Sequence, residues 1–81
     1  MSESPVQRAI LVDLLIYGAD KPENIARRTG KHANSISRSA SQMVEEDLIR
    51  NKGGGVYRLT EKGYQKAQSL VRSGYLPYQP D

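Results

Sequence analysis

Five side chains pose the chemical question in this chain: Asn34, Ser37, Arg38, Ser41 and Gln42. Their spacing by three and four gathers Asn34, Arg38 and Ser41 on one side of a helix, with Ser37 and Gln42 flanking them. These are hydrogen-bonding groups of fixed geometry. A guanidinium can bond guanine bidentately, and the Asn or Gln amide can do the same with adenine. Ser35, Ser37 and Ser41 are short donors able to approach a groove floor or a phosphate. Since most helices carry a polar solvated side, a plain solvent-facing surface is the competing interpretation of the spacing alone.

Basic residues stand to either side of this group. Lys31 precedes it, and Arg50, Lys52 and Arg58 follow it around Gly53-Gly54-Gly55. Lys52 beside a glycine-rich tip suits a narrow, electronegative groove, or it blunts an exposed sheet edge. Arg27, Arg28 and Lys31 can contact phosphates or simply solvate the second helix. Residues 1–20 have a net charge of −2, residues 21–62 of +4 (nine Lys/Arg against five Asp/Glu) and residues 63–81 of +1. A positive patch confined to the middle of a chain is the electrostatic footprint of a nucleic-acid binder.

Other chemistries find little support. His32 is the single histidine and there is no cysteine, so no metal site and no cofactor are expected. His32 reads as helix entry or as a phosphate contact. Glu45, Glu46 and Asp47 form a carboxylate run, but at a helix end solvated charge is the simpler meaning. A phosphate-binding loop needs a following helix with Lys and Ser/Thr, whereas a strand follows these glycines. No nucleophile, base and orienting group come together, and an enzyme is not expected.

The elements that would position these residues are legible from apolar periodicity and from Pro/Gly punctuation. Val6, Ile10 and Leu14, with Leu11 and Leu15, predict a helix over Pro5–Tyr17, begun at Ser4 or Pro5 and ended by Gly18. Its stripe is wide, so it should be the most buried helix, and nothing in it suggests chemistry. Asp20–Thr29 predicts a short second helix. Asp20 and Glu23 have capping-box spacing, Pro22 sits in the first turn, and Gly30 follows. Ala33–Glu46 predicts the third, with Ile36, Ala40, Met43 and Asp47 on its inner side and Asp47 closing it. Leu48–Asn51 and Val56–Leu59 predict a hairpin through Lys52-Gly53-Gly54-Gly55. Thr60–Ser73 predicts the last helix, capped by Thr60 and striped by Tyr64, Ala67, Leu70 and Val71. Domain 1–74 is then followed by an extended tail over 75–81.

The whole chain sets bounds on all of this. Its 81 residues make one small domain with room for a single core. The start, Met1-Ser2-Glu3-Ser4-Pro5, does not read as a signal peptide, and the longest apolar stretch, Ala9–Tyr17, is broken by Asp13. The lack of cysteine favours an intracellular setting.

The order helix, helix, helix, hairpin, helix is mainly α with a small β-hairpin. Here Ile25–Leu59 resembles the winged helix-turn-helix domains of MarR- and ArsR-class transcription regulators. It is particularly similar to small archaeal and phage-repressor-like members. Pro22, Ile25 and Ala26 fit the first helix of the motif, and Gly30 fits its turn. Ser35-Ile36-Ser37-Arg38 resembles the opening of the recognition helix, and Glu45-Glu46-Asp47-Leu48-Ile49 its exit into the wing. Tyr57-Arg58-Leu59-Thr60-Glu61-Lys62-Gly63 is similar to the run joining wing to last helix. In all, the likeness covers about 40 of the 81 residues. His32 departs from the usual Ser or Thr cap, Ala40 from a Leu, and Asp47 from a Gly.

The resemblance implies a sequence-specific double-stranded DNA-binding regulator, a repressor, with helix 33–46 in the major groove and wing 50–58 on the backbone or in a minor groove. It implies a cytoplasmic, nucleoid-associated protein with no membrane partner. It also implies a homodimer through the last helix and tail, where Tyr64, Leu70, Val71, Tyr75, Leu76 and Tyr78 supply apolar surface. The alternative is a winged-helix interaction module within a larger assembly. That role calls for an apolar outer face on the third helix, and Ser, Asn, Arg and Gln stand there instead. Recognition of RNA or of left-handed DNA fits less well, because the wing lacks the Pro-rich, Trp-bearing character associated with the latter.

Overall fold

A computed structural model describes residues 3–78 as four helices and one hairpin: α1 (Pro5–Tyr17), α2 (Pro22–Thr29), α3 (Ala33–Glu45), β1 (Ile49–Asn51), β2 (Tyr57–Leu59) and α4 (Glu61–Arg72). This is the expected order, with α3 and both strands one residue shorter than the sequence suggested.

α1 is the spine. Ser4 Oγ accepts from the Gln7 N–H and Gln7 Oε1 accepts from the Ser4 N–H, a reciprocal cap on a helix whose first residue is Pro5. Every residue from Ala9 to Leu14 is buried. Ile10, Leu11 and Leu14 meet Ile25 and Ala26 of α2, Ile36, Ala40 and Met43 of α3, Leu48 before β1, Ile49 of β1 and Ala67 of α4 in one core. Each of the larger aliphatic side chains contributes ~1.5–3 kcal/mol by leaving water.

Two of the boundary differences change the role of a residue. α2 starts at Pro22 with Lys21 at its N-cap, and no side chain caps it. Asp20 is thereby released from the expected capping box for another role, described below. α3 ends at Glu45, and Asp47 is not on its inner face but exposed, in the left-handed region at φ 62°. The Asp47 N–H donates to Val44 O (3.1 Å) and the Leu48 N–H to Met43 O (2.9 Å). This pairing satisfies two of the last helical carbonyls and places Leu48 against Met43 in the core.

The hairpin is antiparallel, with Ile49 opposite Leu59, Arg50 opposite Arg58 and Asn51 opposite Tyr57. Gly53, Gly54 and Gly55 all have positive φ, so the tip needs three residues free of a Cβ. On its outer edge β2 has a further partner that the sequence did not reveal. Asp20 exchanges two backbone hydrogen bonds with Tyr57, at 3.1 and 2.9 Å. At the other end Thr60 caps α4 by accepting from the Gly63 N–H (3.0 Å), while its own hydroxyl donates to Asp47 O (2.6 Å). A Cβ on Gly63 would collide with the Leu48 carbonyl, so this glycine sets how closely α4 lies against the start of the hairpin.

The expected extended tail instead turns back on α1 as far as it is described. The Tyr75 N–H donates to Leu70 O (3.0 Å), Arg8 lies 5.7 Å over the Tyr75 ring, and Tyr78 packs edge-on against Tyr17. The rest of the expected tail, 79–81, lies outside the described residues.

Candidate nucleic-acid interface

α3 buries Ile36, Ala40 and Met43 and turns its remaining sides outward. Asn34, Ser37, Arg38, Ser41 and Gln42 are all exposed, as the spacing predicts, whereas Ser35 is half-buried at the margin. Arg38 forms no ion pair among the described residues. Two members of the face are engaged within the helix: Ser41 Oγ donates to Ser37 O (3.3 Å) and Gln42 Nε2 to Glu46 Oε2 (3.3 Å). Among the described residues the side chains of Asn34, Ser37 and Arg38, in the first two turns, make no such bond.

His32 occupies the N-cap of α3 and supplies no side-chain hydrogen bond. The leading N–H groups are left without an intramolecular acceptor from the cap, at the positive end of the helix dipole. Lys31, half-buried, precedes it, and its backbone N–H closes α2 on Ala26 O (3.2 Å).

The wing packs its Ile49 inward and leaves Arg50, Lys52 and Arg58 exposed. Because Arg50 and Arg58 are direct cross-strand partners, their side chains leave the hairpin on the same face. Like charges in that arrangement destabilise a hairpin. Little on the protein compensates: Arg50 meets Asp47 at 3.5 Å with both side chains 63% exposed, and Arg58 donates only to Leu59 O. An anionic partner would relieve the repulsion.

Arg28, expected either to contact phosphate or to solvate its helix, is instead bound within the protein. Its Nε and Nη2 grip Asp13 at 3.0 and 2.7 Å, and its Nη1 reaches Asp20 at 3.0 Å. Asp13 is fully buried and also accepts from the Tyr78 hydroxyl (2.8 Å). The guanidinium stacks 4.6 Å from the Tyr17 ring centroid. Burial, and then the bond to Asp13, push the Tyr78 phenol well above its ordinary value. Asp20 is held down at about 2, chiefly by Asn24, then by the Lys21 N–H and Arg28. This network was missed, although one signal was available: Asp13 interrupts an apolar run, and a buried carboxylate requires a fixed donor. Arg27 stays exposed, donating to Asn24 Oδ1 at 2.6 Å.

No cluster of three or more His, Cys, Asp or Glu suited to a metal occurs among the described residues. None of the helices among them is long and apolar enough to cross a membrane. An open cleft of about 430 Å³ beside α4 is lined by Glu3, Lys62, Lys66, Ser69 and Leu70 among others.

No protein-family profile matches this chain, and no curated protein does. Among solved structures, T. acidophilum IdeR superposes on 89% of the chain with a TM-score of 0.71 at 19% identity. The chain spans about a third of that protein's length, 35%. At this identity the likeness speaks to architecture, and the kinship to MarR and ArsR regulators stays a resemblance of residues. Four helices in this order, a two-stranded hairpin between the third and fourth, and that superposition together establish a winged helix-turn-helix fold.

Proposed function

We propose that this domain is a sequence-specific double-stranded DNA-binding transcription regulator that represses by occupying its site. The first two turns of α3 enter the major groove, and the wing lies on the backbone or in an adjoining minor groove. The observation that carries this reading is the outer face of α3. Asn34, Ser37 and Arg38 are exposed together on the helix that this fold presents outward, and among the described residues no ion pair engages Arg38. Two further features support it. The uncapped N-terminus of α3 offers N–H groups to a phosphate. The Arg50/Arg58 pair concentrates positive charge whose mutual repulsion a phosphate backbone would offset.

The roles divide by chemistry. Arg38 and Asn34 read base edges, Ser35, Ser37, Ser41 and Gln42 approach bases or backbone, and Lys31, His32, Arg50, Lys52 and Arg58 hold phosphates. Neutralising ~4–6 phosphates per domain makes log affinity fall with log salt at a slope of about −4 to −5. Fluorescence anisotropy of a labelled random duplex across a salt series tests this, and absence of binding at low salt would remove the reading. No catalytic step enters the proposal.

We further propose that two copies associate through α4. The surface available is smaller than the sequence suggested. Leu70 packs against the core, and Tyr75 and Tyr78 fold onto α1, which leaves Tyr64, Val71 and Leu76 exposed.

A further inference from the structure

We infer that Arg28 is the positioning residue that fixes the wing relative to α2 and α3, acting through the side chain of Asp20. The inference builds on the DNA-binding reading for its consequence but not for its geometry. A two-stranded ribbon of three-residue strands is marginal by itself. The wing is tied to the core by Ile49, with Tyr57 and Leu59 of β2 packed against the same cluster. At the free edge of β2 its backbone is paired by Asp20, through two bonds to Tyr57. Asp20 lies between α1 and α2, outside both helices, so those bonds hold the wing only as firmly as Asp20 is itself held.

The Asp20 carboxylate is anchored on both oxygens. Oδ1 accepts from the Lys21 N–H (2.7 Å) and Asn24 Nδ2 (2.7 Å), and Oδ2 accepts from Arg28 Nη1 (3.0 Å). The opposite side of the guanidinium is locked to Asp13, which is buried in α1 and whose Oδ2 also accepts from the Tyr78 hydroxyl. One guanidinium thus joins the central helix, the helix before α3 and the strand-like segment that pairs with the wing. A planar fork can satisfy two carboxylates in fixed directions, whereas an ammonium is a point charge that cannot. An apolar filling could stabilise the same site without fixing direction, and direction is what a wing carrying Arg50, Lys52 and Arg58 requires.

Asp20→Ala is the clean test, because it removes the carboxylate that anchors residue 20, keeps the backbone that pairs with Tyr57, and leaves the buried Asp13–Arg28 pair intact. Arg28→Lys is the second variant, retaining charge but not the two-sided grip. Amide exchange by NMR is read on each folded variant, with α3 core amides at Ile36 and Met43 as internal reference. The Tyr57 amide should exchange at least tenfold faster while the reference amides hold. In parallel, Arg50→Ala is made in the wild type and in Asp20→Ala, and duplex affinity is measured. Its penalty, about fivefold in the wild type, should shrink below twofold in the Asp20→Ala background. A merely structural role would lower both affinities without changing that ratio. Unchanged Tyr57 exchange overturns the inference, and so does faster exchange with an unchanged Arg50→Ala penalty. If the wild type binds no duplex, the DNA reading fails by itself, and the exchange data still decide whether Arg28 and Asp20 hold the wing.

Discussion

Asp47 shows how one side chain can cost stability in a position that the fold demands. The turn from α3 into the wing needs a left-handed residue, and Asp47 takes φ 62° with its side chain paired only to Arg50 at 3.5 Å in solvent. Such exposed pairs contribute little, and a left-handed non-glycine residue is strained. Asp47→Gly should therefore raise stability by ~0.5–1 kcal/mol, measured as a higher urea midpoint with an unchanged slope. Asp20 behaves oppositely. Its carboxyl is held at about 2 against an ordinary 3.8, mainly by Asn24, so the unfolded state binds more protons between those values. Stability from Asp20 is fully present above pH 4 and is lost as pH falls toward 2, by an amount on the order of 1–2 kcal/mol after allowing for its partial exposure. Urea melts at pH 5 and pH 2.5 should differ less for Asp20→Ala than for the wild type. An equal loss in both would show that the network is not the source.

At the scale of elements, the Thr60–Gly63 turn decides whether α4 can close on the hairpin. A Cβ at Gly63 would meet the Leu48 carbonyl, which belongs to the backbone and cannot rotate away. Gly63→Ala should destabilise by ~1–3 kcal/mol or more, visible as a lower thermal midpoint. The elements themselves were largely legible in the sequence. Ser4, Pro5 and Gly18 bracket α1, and Gly30 closes α2. The glycine triplet marks the hairpin tip, while Ile36, Ala40 and Met43 give α3 its inner face. What stayed hidden was long-range and polar. Asp13 and Arg28 are 15 residues apart, and Asp20 pairs with Tyr57 from a distant part of the chain. Such contacts repeat with no period and follow from tertiary packing, so neither apolar spacing nor turn chemistry reports them. The tail was misjudged for the same reason, since its two prolines suggest an extended path while Tyr78 finds a buried acceptor on α1.

For the whole molecule, charge and fold point the same way. The chain carries a net +3, concentrated between residues 21 and 62, and that segment contains α2, α3 and the wing. A single small domain makes few contacts to a duplex, so specific affinity favours two copies on a symmetric site. Sedimentation at micromolar concentration should show a species of twice the 9.0 kDa chain mass, and Tyr64→Lys with Val71→Lys should return it to one. A single 9.0 kDa species in the wild type would contradict the α4 interface.

The most direct test of the account is selection of bound sequences from a random duplex pool, run in parallel with the wild type and Arg38→Ala. The account predicts an enriched site for the wild type. For Arg38→Ala it predicts relaxed preference at a guanine in that site and a loss of ~1–3 kcal/mol on the selected duplex, with little change on random DNA. No enrichment by the wild type, or the same site enriched equally well by Arg38→Ala, would contradict the placement of α3 in the major groove.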